Sequence, residues 1–223
     1  MVRFQTVPQL IETVPQLIKT NKMYFEKDNI YHVFNRGNNR ENIFYNNENY
    51  IFFLKKIRKH IFPFCEILAY CLMPNHFHFL IFANEKTTQK IIKANQDRNV
   101  FSEGIRIILS TYSQAINKQE KRVGSLFTQN TEAKLLANVL NRTNKMDYVF
   151  NCFQYIHQNP IRNGLVKKME DWQYSSFVDY CGFRNGSLCN QKLAYELINF
   201  DKENFYNQSY IAIVEQKLKY IWS

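Results

Sequence analysis

The chain has 223 residues, 45% of them apolar and 22% charged, which fits one large globular domain, or one core with extensions, and excludes an intrinsically disordered chain. Lys and Arg number 29 against 19 Asp and Glu, a formal charge of +10, so a polyanionic partner is favoured and nucleic acid comes first. The five cysteines are odd in number and show no CxxC spacing, which argues against a disulfide framework or a zinc finger and suits a reducing compartment.

No apolar run approaches the roughly 20 residues that cross a bilayer, and the first residues lack the charged-then-apolar layout of a signal peptide. A cytoplasmic protein with no membrane partner is therefore expected. Fourteen Tyr and nineteen Phe are an unusual aromatic load. Most belong in a core, and some are suited to stack on unpaired bases.

Residues 6–12, TVPQLIE, are repeated as TVPQLIK at 13–19. Two copies are too few for a solenoid, and Pro8 and Pro15 would interrupt a long helix, so residues 1–23 read as an N-terminal arm. The core follows this arm, and it begins with the β-rich IYHVFNR at 30–36, which stops at Gly37. After the polar turn GNNREN, residues 47–62 carry apolar side chains at helical spacing, with Lys55, Lys56, Arg58 and Lys59 on or near the exposed side. Pro63 ends that helix.

Two β-like runs follow, 64–73 and 76–83, joined only by Pro74–Asn75, a tight hairpin signal. Residues 84–100 are polar and loop-like. A second helix is predicted over 103–120, with Ile105, Ile108, Leu109, Tyr112 and Ile116 on one face. GSLFTQ at 124–129 reads as a short strand, and 133–140 as a further strand or a helix start. The run MDYVFNCFQYIHQ at 146–158 reads as a helix stopped by Asn159–Pro160. Residues 184–223, including an amphipathic stretch at 209–222, form a C-terminal accessory segment. Helices alternating with an antiparallel hairpin point to an α+β fold, a ferredoxin-like split β-α-β sandwich with an antiparallel central sheet and a helical C-terminal extension.

The stretch LMPNHFHFLIF (72–82) holds two histidines inside an apolar run. On a strand, residues two apart share a face, so His76 and His78 project together while Phe77, Phe79 and Ile81 take the other side. A shared metal gives two close imidazoles a reason to stay neutral, although a random H-x-H more often reflects histidines hydrogen-bonded at a strand edge. On the helix at 146–158, Tyr155 and Asn159 are four residues apart and therefore neighbours on one face. An amide oxygen suits Mg²⁺ or Mn²⁺, so Asn159 is able to complete a His-His-Asn site. His157 faces elsewhere, toward packing or a phosphate contact.

MPNHFHFLI together with YIHQNPIRNGLV resembles the HUH tyrosine transposases, and more closely their REP-associated group. YHVFNRGNNRENIF at 31–44 and DWQYSSF at 171–177 match the same group, and the four blocks fall in its order. The resemblance spans roughly residues 24–183 and leaves 1–23 and 184–223 without a counterpart. It implies the HUH fold, with Tyr155 as nucleophile and His76, His78 and Asn159 as ligands of a divalent Mg²⁺ or Mn²⁺. Some relatives carry Gln at the ligand position; Asn159 keeps the amide oxygen with one methylene less reach.

The activity so implied is cleavage and rejoining of single-stranded DNA through a 5′-phosphotyrosine, on DNA whose palindromic ends fold as hairpins. A phenol of ordinary pKa near 10 is a weak nucleophile at neutral pH, and a metal on the phosphate answers that need. The enzyme is expected as a monomer, or as a homodimer exchanging the tyrosine helix.

Arg36 and Arg40 flank the Gly37–Asn38–Asn39 turn. With Asn38 they are candidates to grip a DNA backbone or a hairpin foot, against the plainer reading of solvated turn residues. Arg162 lies close enough after Tyr155 to touch the cleaved strand. Three rivals stand beside the transposase reading: a non-catalytic nucleic-acid-binding protein on the same fold, a metal phosphodiesterase in which His76 and His78 activate water and Tyr155 is a bystander, and a structural protein with core histidines.

Overall fold

The computed structural model describes residues 23–93, 96–140 and 146–211. Its strands are β1 (Asn29–Arg36), β2 (Glu66–Met73), β3 (His76–Ala83), β4 (Lys90–Lys93), β5 (Gln96–Asn99) and β6 (Glu132–Asn138). Its helices are α1 (Asn47–His60), α2 (Glu85–Thr88), α3 (Val100–Gln119), α4 (Met146–Arg162), α5 (Phe177–Tyr180), α6 (Gln191–Ile198) and α7 (Phe205–Ser209).

Alternation along β1 and β3 gives the central sheet two distinct faces. The sheet is antiparallel in the order β2-β3-β1-β6, as the expected α+β sandwich requires. Val33, Phe77, Phe79 and Ile81 are buried on the face that takes α1 and α3. Phe53 of α1 contacts Phe77 at 5.4 Å and Tyr112 of α3 at 5.0 Å between ring centroids. Burying each such phenylalanine contributes about 1.5–3 kcal/mol before entropy is counted. Both helices start where an asparagine caps them: Asn46 accepts from the Asn49 N–H, and Asn99 from the Ser102 N–H. Helix α4 packs across β2, β3 and β6 on the opposite face.

The edge of β2 is covered by the chain at 172–176. The Leu72 N–H donates to Tyr174 O and the Ser176 N–H to Tyr70 O, both at 2.9 Å, while Trp172 Nε1 donates to Leu72 O at 3.0 Å. A strand edge left open is a template for pairing with other chains, and this strap closes it. Arg184 then reaches back to Asp179, Tyr70 and Ser175 O. Helices α6 and α7 pack on α4, where Phe153 meets Phe200 at 4.9 Å and Phe205 at 5.8 Å.

Three expectations are corrected. Residues 124–129 form no strand: apart from one bridge between Gly37 and Phe127, they follow the end of β1 through bonds from the Asn38 N–H to Leu126 O and the Thr128 N–H to Arg36 O. The place beside β1 belongs to β6, so the 133–140 stretch takes its strand option. Residues 84–100 are not loop, because an Asn84–Thr87 capping box starts α2 and β4 pairs with β5 in a two-stranded ribbon.

Helix α4 also runs through Pro160 to Arg162. Proline removes one backbone donor, but the Asn163 N–H bonds Asn159 O at 3.0 Å and the Leu165 N–H bonds Pro160 O at 2.9 Å. Gly164, with φ of 67°, then ends the helix. Asn159 therefore sits inside the last turns and not at a frayed end.

The duplicated heptad and nearly all of the amphipathic stretch at 209–222 lie outside the described residues. Among the described residues no helix is long and apolar enough to cross a membrane.

Candidate active site

Strand β3 places His76 and His78 on the face toward α4, their ring centroids 4.9 Å apart. Across the ladder Arg36 stands opposite His76, and Phe34 opposite both His78 and, on β6, Glu132. Helix α4 crosses this face so that the Tyr155 ring meets His78 edge-on at 5.8 Å. One turn later, Asn159 Oδ1 lies 3.3 Å from His76 Nε2. The i, i+2 spacing of the strand and the i, i+4 spacing of the helix thus converge, and all four residues stand together.

The amide of Asn159 is held in orientation by the residue just past the end of its own helix. Asn163 Nδ2 donates to Asn159 Oδ1 at 3.1 Å and to Asn159 O at 2.9 Å. His76 Nδ1 is 2.6 Å from Asn75 Oδ1 in the hairpin turn. Burial lowers the His76 pKa, the hydrogen bond to Asn159 opposes that shift, and Arg36 adds to it. His78 is held well below the usual imidazole range by burial first and by its neighbours His32 and His76 next. Both shifts favour the neutral imidazole, which is the form that ligates a metal.

A cleft of about 850 Å³ opens over His76 and His78. Phe34, Arg36, Arg40, Glu132, Lys134 and Asn163 also line it. Tyr155 and Asn159 do not line it; they are buried, 5% and 1% exposed, against the histidines that do. Of the expected DNA contacts, Arg36 and Arg40 line the cleft. Asn38 uses its backbone N–H on Leu126 O and does not line it, and neither does the exposed Arg162 at the end of α4.

The basic run on α1 lies across the sheet from the site. Lys56 bonds Thr111 Oγ1 at 2.7 Å and sits over the Phe52 ring. His157 is fully buried, 2.8 Å from Ser176 Oγ and packed on Phe153, which settles its place as packing.

Sequence reasoning missed His32, Glu132, Lys134 and Asn163. For three of them a signal existed. His32 shares a strand face with Phe34 and Arg36, Lys134 follows Glu132 at strand spacing, and Asn163 repeats the four-residue step from Asn159.

No protein-family model matches the chain. Over 116 residues it is 25% identical to a Haemophilus influenzae protein assigned to the REP-associated tyrosine transposases. That stretch covers 52% of this chain and 60% of the relative's own length. The solved structure of a REP-associated tyrosine transposase bound to a REP hairpin superposes with a TM-score of 0.52 at 19% identity, covering 75% of this chain and 87% of that one. The chain is similar to the REP-associated tyrosine transposases.

The resemblance drawn from the four sequence blocks agrees with both comparisons, and each block has a distinct structural task. MPNHFHFLI forms the β2–β3 hairpin with the two histidines. YIHQNPIRNGLV ends α4 with Tyr155 and Asn159. YHVFNRGNNRENIF makes β1 and the arginine turn, and DWQYSSF is the strap that closes the edge of β2.

Proposed function

We propose that this chain cleaves and rejoins single-stranded DNA through a covalent 5′-phosphotyrosine on Tyr155. The observation that carries the proposal is the convergence of Tyr155, His76, His78 and Asn159 beside a cleft lined by Arg36, Arg40 and Lys134. The hairpin in the solved relative belongs to that protein; we extend to this chain the expectation of DNA with hairpin-forming ends.

The donor set fits a hard divalent cation, Mg²⁺ or Mn²⁺. Adjacent ligands of an octahedral ion with bonds of about 2.1 Å stand about 3 Å apart, and His76 Nε2 and Asn159 Oδ1 are separated by 3.3 Å. Among the described residues no group of three or more His, Cys, Asp or Glu is placed to hold a metal; the proposed site would instead use the amide of Asn159 beside His76 and His78. When bound, the cation would neutralise charge on the phosphate and on the departing oxygen.

The protein's own groups do the rest. Arg36, Arg40 and Lys134 draw the backbone into the cleft and bind its phosphates. As the Tyr155 Oη–P bond forms, the phenol gives up its proton, the P–O3′ bond breaks, and the 3′ oxygen takes up a proton and leaves as a hydroxyl. The new phosphoester conserves the energy of the old one, so attack by a 3′-OH rejoins DNA without a nucleotide cofactor. The rim of Phe34 offers an apolar surface to an unpaired base.

The test is incubation of the protein with end-labelled single strands bearing hairpins, in Mg²⁺ or Mn²⁺, followed by a denaturing gel. A labelled band at the mass of the protein is expected from wild type and not from Tyr155→Phe. Cleavage without any adduct would instead favour a water-activating phosphodiesterase.

A further inference from the structure

We infer that His32 is a positioning residue that fixes the tautomer and ring orientation of His78. The inference rests on the reading above, since it concerns the nitrogen that His78 presents to a cation. His32 Nε2 lies 2.9 Å from His78 Nδ1. The ring centroids are 5.0 Å apart with 22° between their planes, and both side chains are fully buried. Phe34 stacks on His32 at 4.6 Å and so limits its rotation.

Strand alternation would accept any apolar residue at position 32, between Ile30 and Phe34. A buried imidazole costs free energy unless its polar atoms are bonded, so its presence calls for a specific return. Two neutral rings that share one hydrogen bond have two arrangements. If His78 Nδ1–H donates to His32 Nε2, the lone pair of His78 is on Nε2. If His32 Nε2–H donates, His78 accepts on Nδ1 and carries its proton on Nε2, which then has no lone pair for a ligand.

Histidines that ligate metals almost always donate their other ring N–H to a neighbouring acceptor, which sets tautomer and direction together. His32 is the acceptor that selects the first arrangement. The same bond ties β1 to β3 diagonally across the ladder, because Phe34, not His32, stands opposite His78. The aim of His78 is thereby set by the sheet itself.

The assignment can be read on the full chain without metal or DNA. Long-range ¹H–¹⁵N spectra of histidine-labelled protein at pH 8 report which nitrogen carries the proton. Wild type should show His78 protonated at Nδ1. His32→Phe keeps a similar ring and removes the acceptor, so His78 should shift toward the Nε2–H form. Mn²⁺ affinity, followed by electron paramagnetic resonance, should fall about 10- to 100-fold.

His32→Gln, which restores an acceptor oxygen, should recover part of that affinity and covers the case in which His32→Phe does not fold. Wild-type His78 protonated at Nε2 would overturn the assignment. So would equal Mn²⁺ affinity in wild type and His32→Phe or, where that variant does not fold, a His32→Gln protein that keeps wild-type Mn²⁺ affinity with His78 protonated at Nε2. These spectra stand whether or not the chain forms a DNA adduct, so failure of the cleavage reading and failure of this inference are separable.

Discussion

Asn159 Oδ1 of α4 stands 3.3 Å from His76 Nε2 of β3, 83 residues away in the chain. This contact, with the edge-on packing of Tyr155 on His78, joins the tyrosine helix to the histidine strand, and the reactivity expected of the site depends on it. With Asn163 holding the same amide from below, the oxygen is already aimed before any ligand arrives.

Tyr155→Phe removes one oxygen and leaves the edge-on ring contact with His78. Folding, DNA binding and Mn²⁺ binding should therefore match wild type, while cleavage and the adduct vanish. Tyr148 is no substitute, because seven helical residues place it about 10 Å farther along the axis. Cutting by Tyr155→Phe on a sequencing gel would sink the covalent mechanism.

Loss of a ligand should scale with what remains. His76→Ala and His78→Ala should abolish cleavage, because two remaining protein groups hold a hard ion poorly. Asn159→Ala should be damaging but recover in part at high Mn²⁺, since water can replace one amide oxygen. Cleavage rates titrated against Mn²⁺ give the answer, and activity of both histidine variants in chelator would show the pair to be structural.

Arg36 and Arg40 line the cleft, whereas Arg162 is exposed outside it. Each of Arg36→Ala and Arg40→Ala should weaken DNA binding and reduce the slope of log affinity against log salt by about 1. Arg162→Ala should change that slope by less. Fluorescence anisotropy at several salt concentrations distinguishes them; a larger slope change from Arg162 would redraw the DNA path.

Single strands should be cut and the matching duplex cut poorly, since Tyr155 is packed against His78 and is only 5% exposed. A backbone that enters to reach it has to be locally free of its complement. Comparable rates on a fully paired duplex and on its single strand would contradict this geometry.

Gly37→Ala tests the turn that carries both arginines. A Cβ there would lie 2.0 Å from Glu41 O, which is backbone and cannot rotate away. A loss of about 1–3 kcal/mol is expected, together with weaker DNA binding as the turn shifts. Denaturant midpoints measure the first effect; an unchanged midpoint would mean that the turn is looser than its hydrogen bonds suggest.

Much of this protein was legible in its sequence because the rules involved are local. Alternation in FHFLIF marks a strand with two faces, as side chains leave a pleated backbone on opposite sides. The steps from His76 to His78 and from Tyr155 to Asn159 follow from strand and helix periods alone. The Pro74–Asn75 hairpin needed only its two residues.

What required the tertiary structure is the meeting of separate elements. Nothing in the spacing of His76, His78, Tyr155 and Asn159 says that α4 lies on the histidine face; sheet order and packing decide that. GSLFTQ has strand composition, yet the place beside β1 goes to β6, since ladder pairing has room for one neighbour on each side. Pro160 was read as a stop, but neighbouring backbone bonds carry the helix past it. His32 looked like one more strand residue because its partner is 46 positions away. A hydrogen bond between distant residues leaves no periodic trace, and only the register of β1 against β3 brings those two rings together.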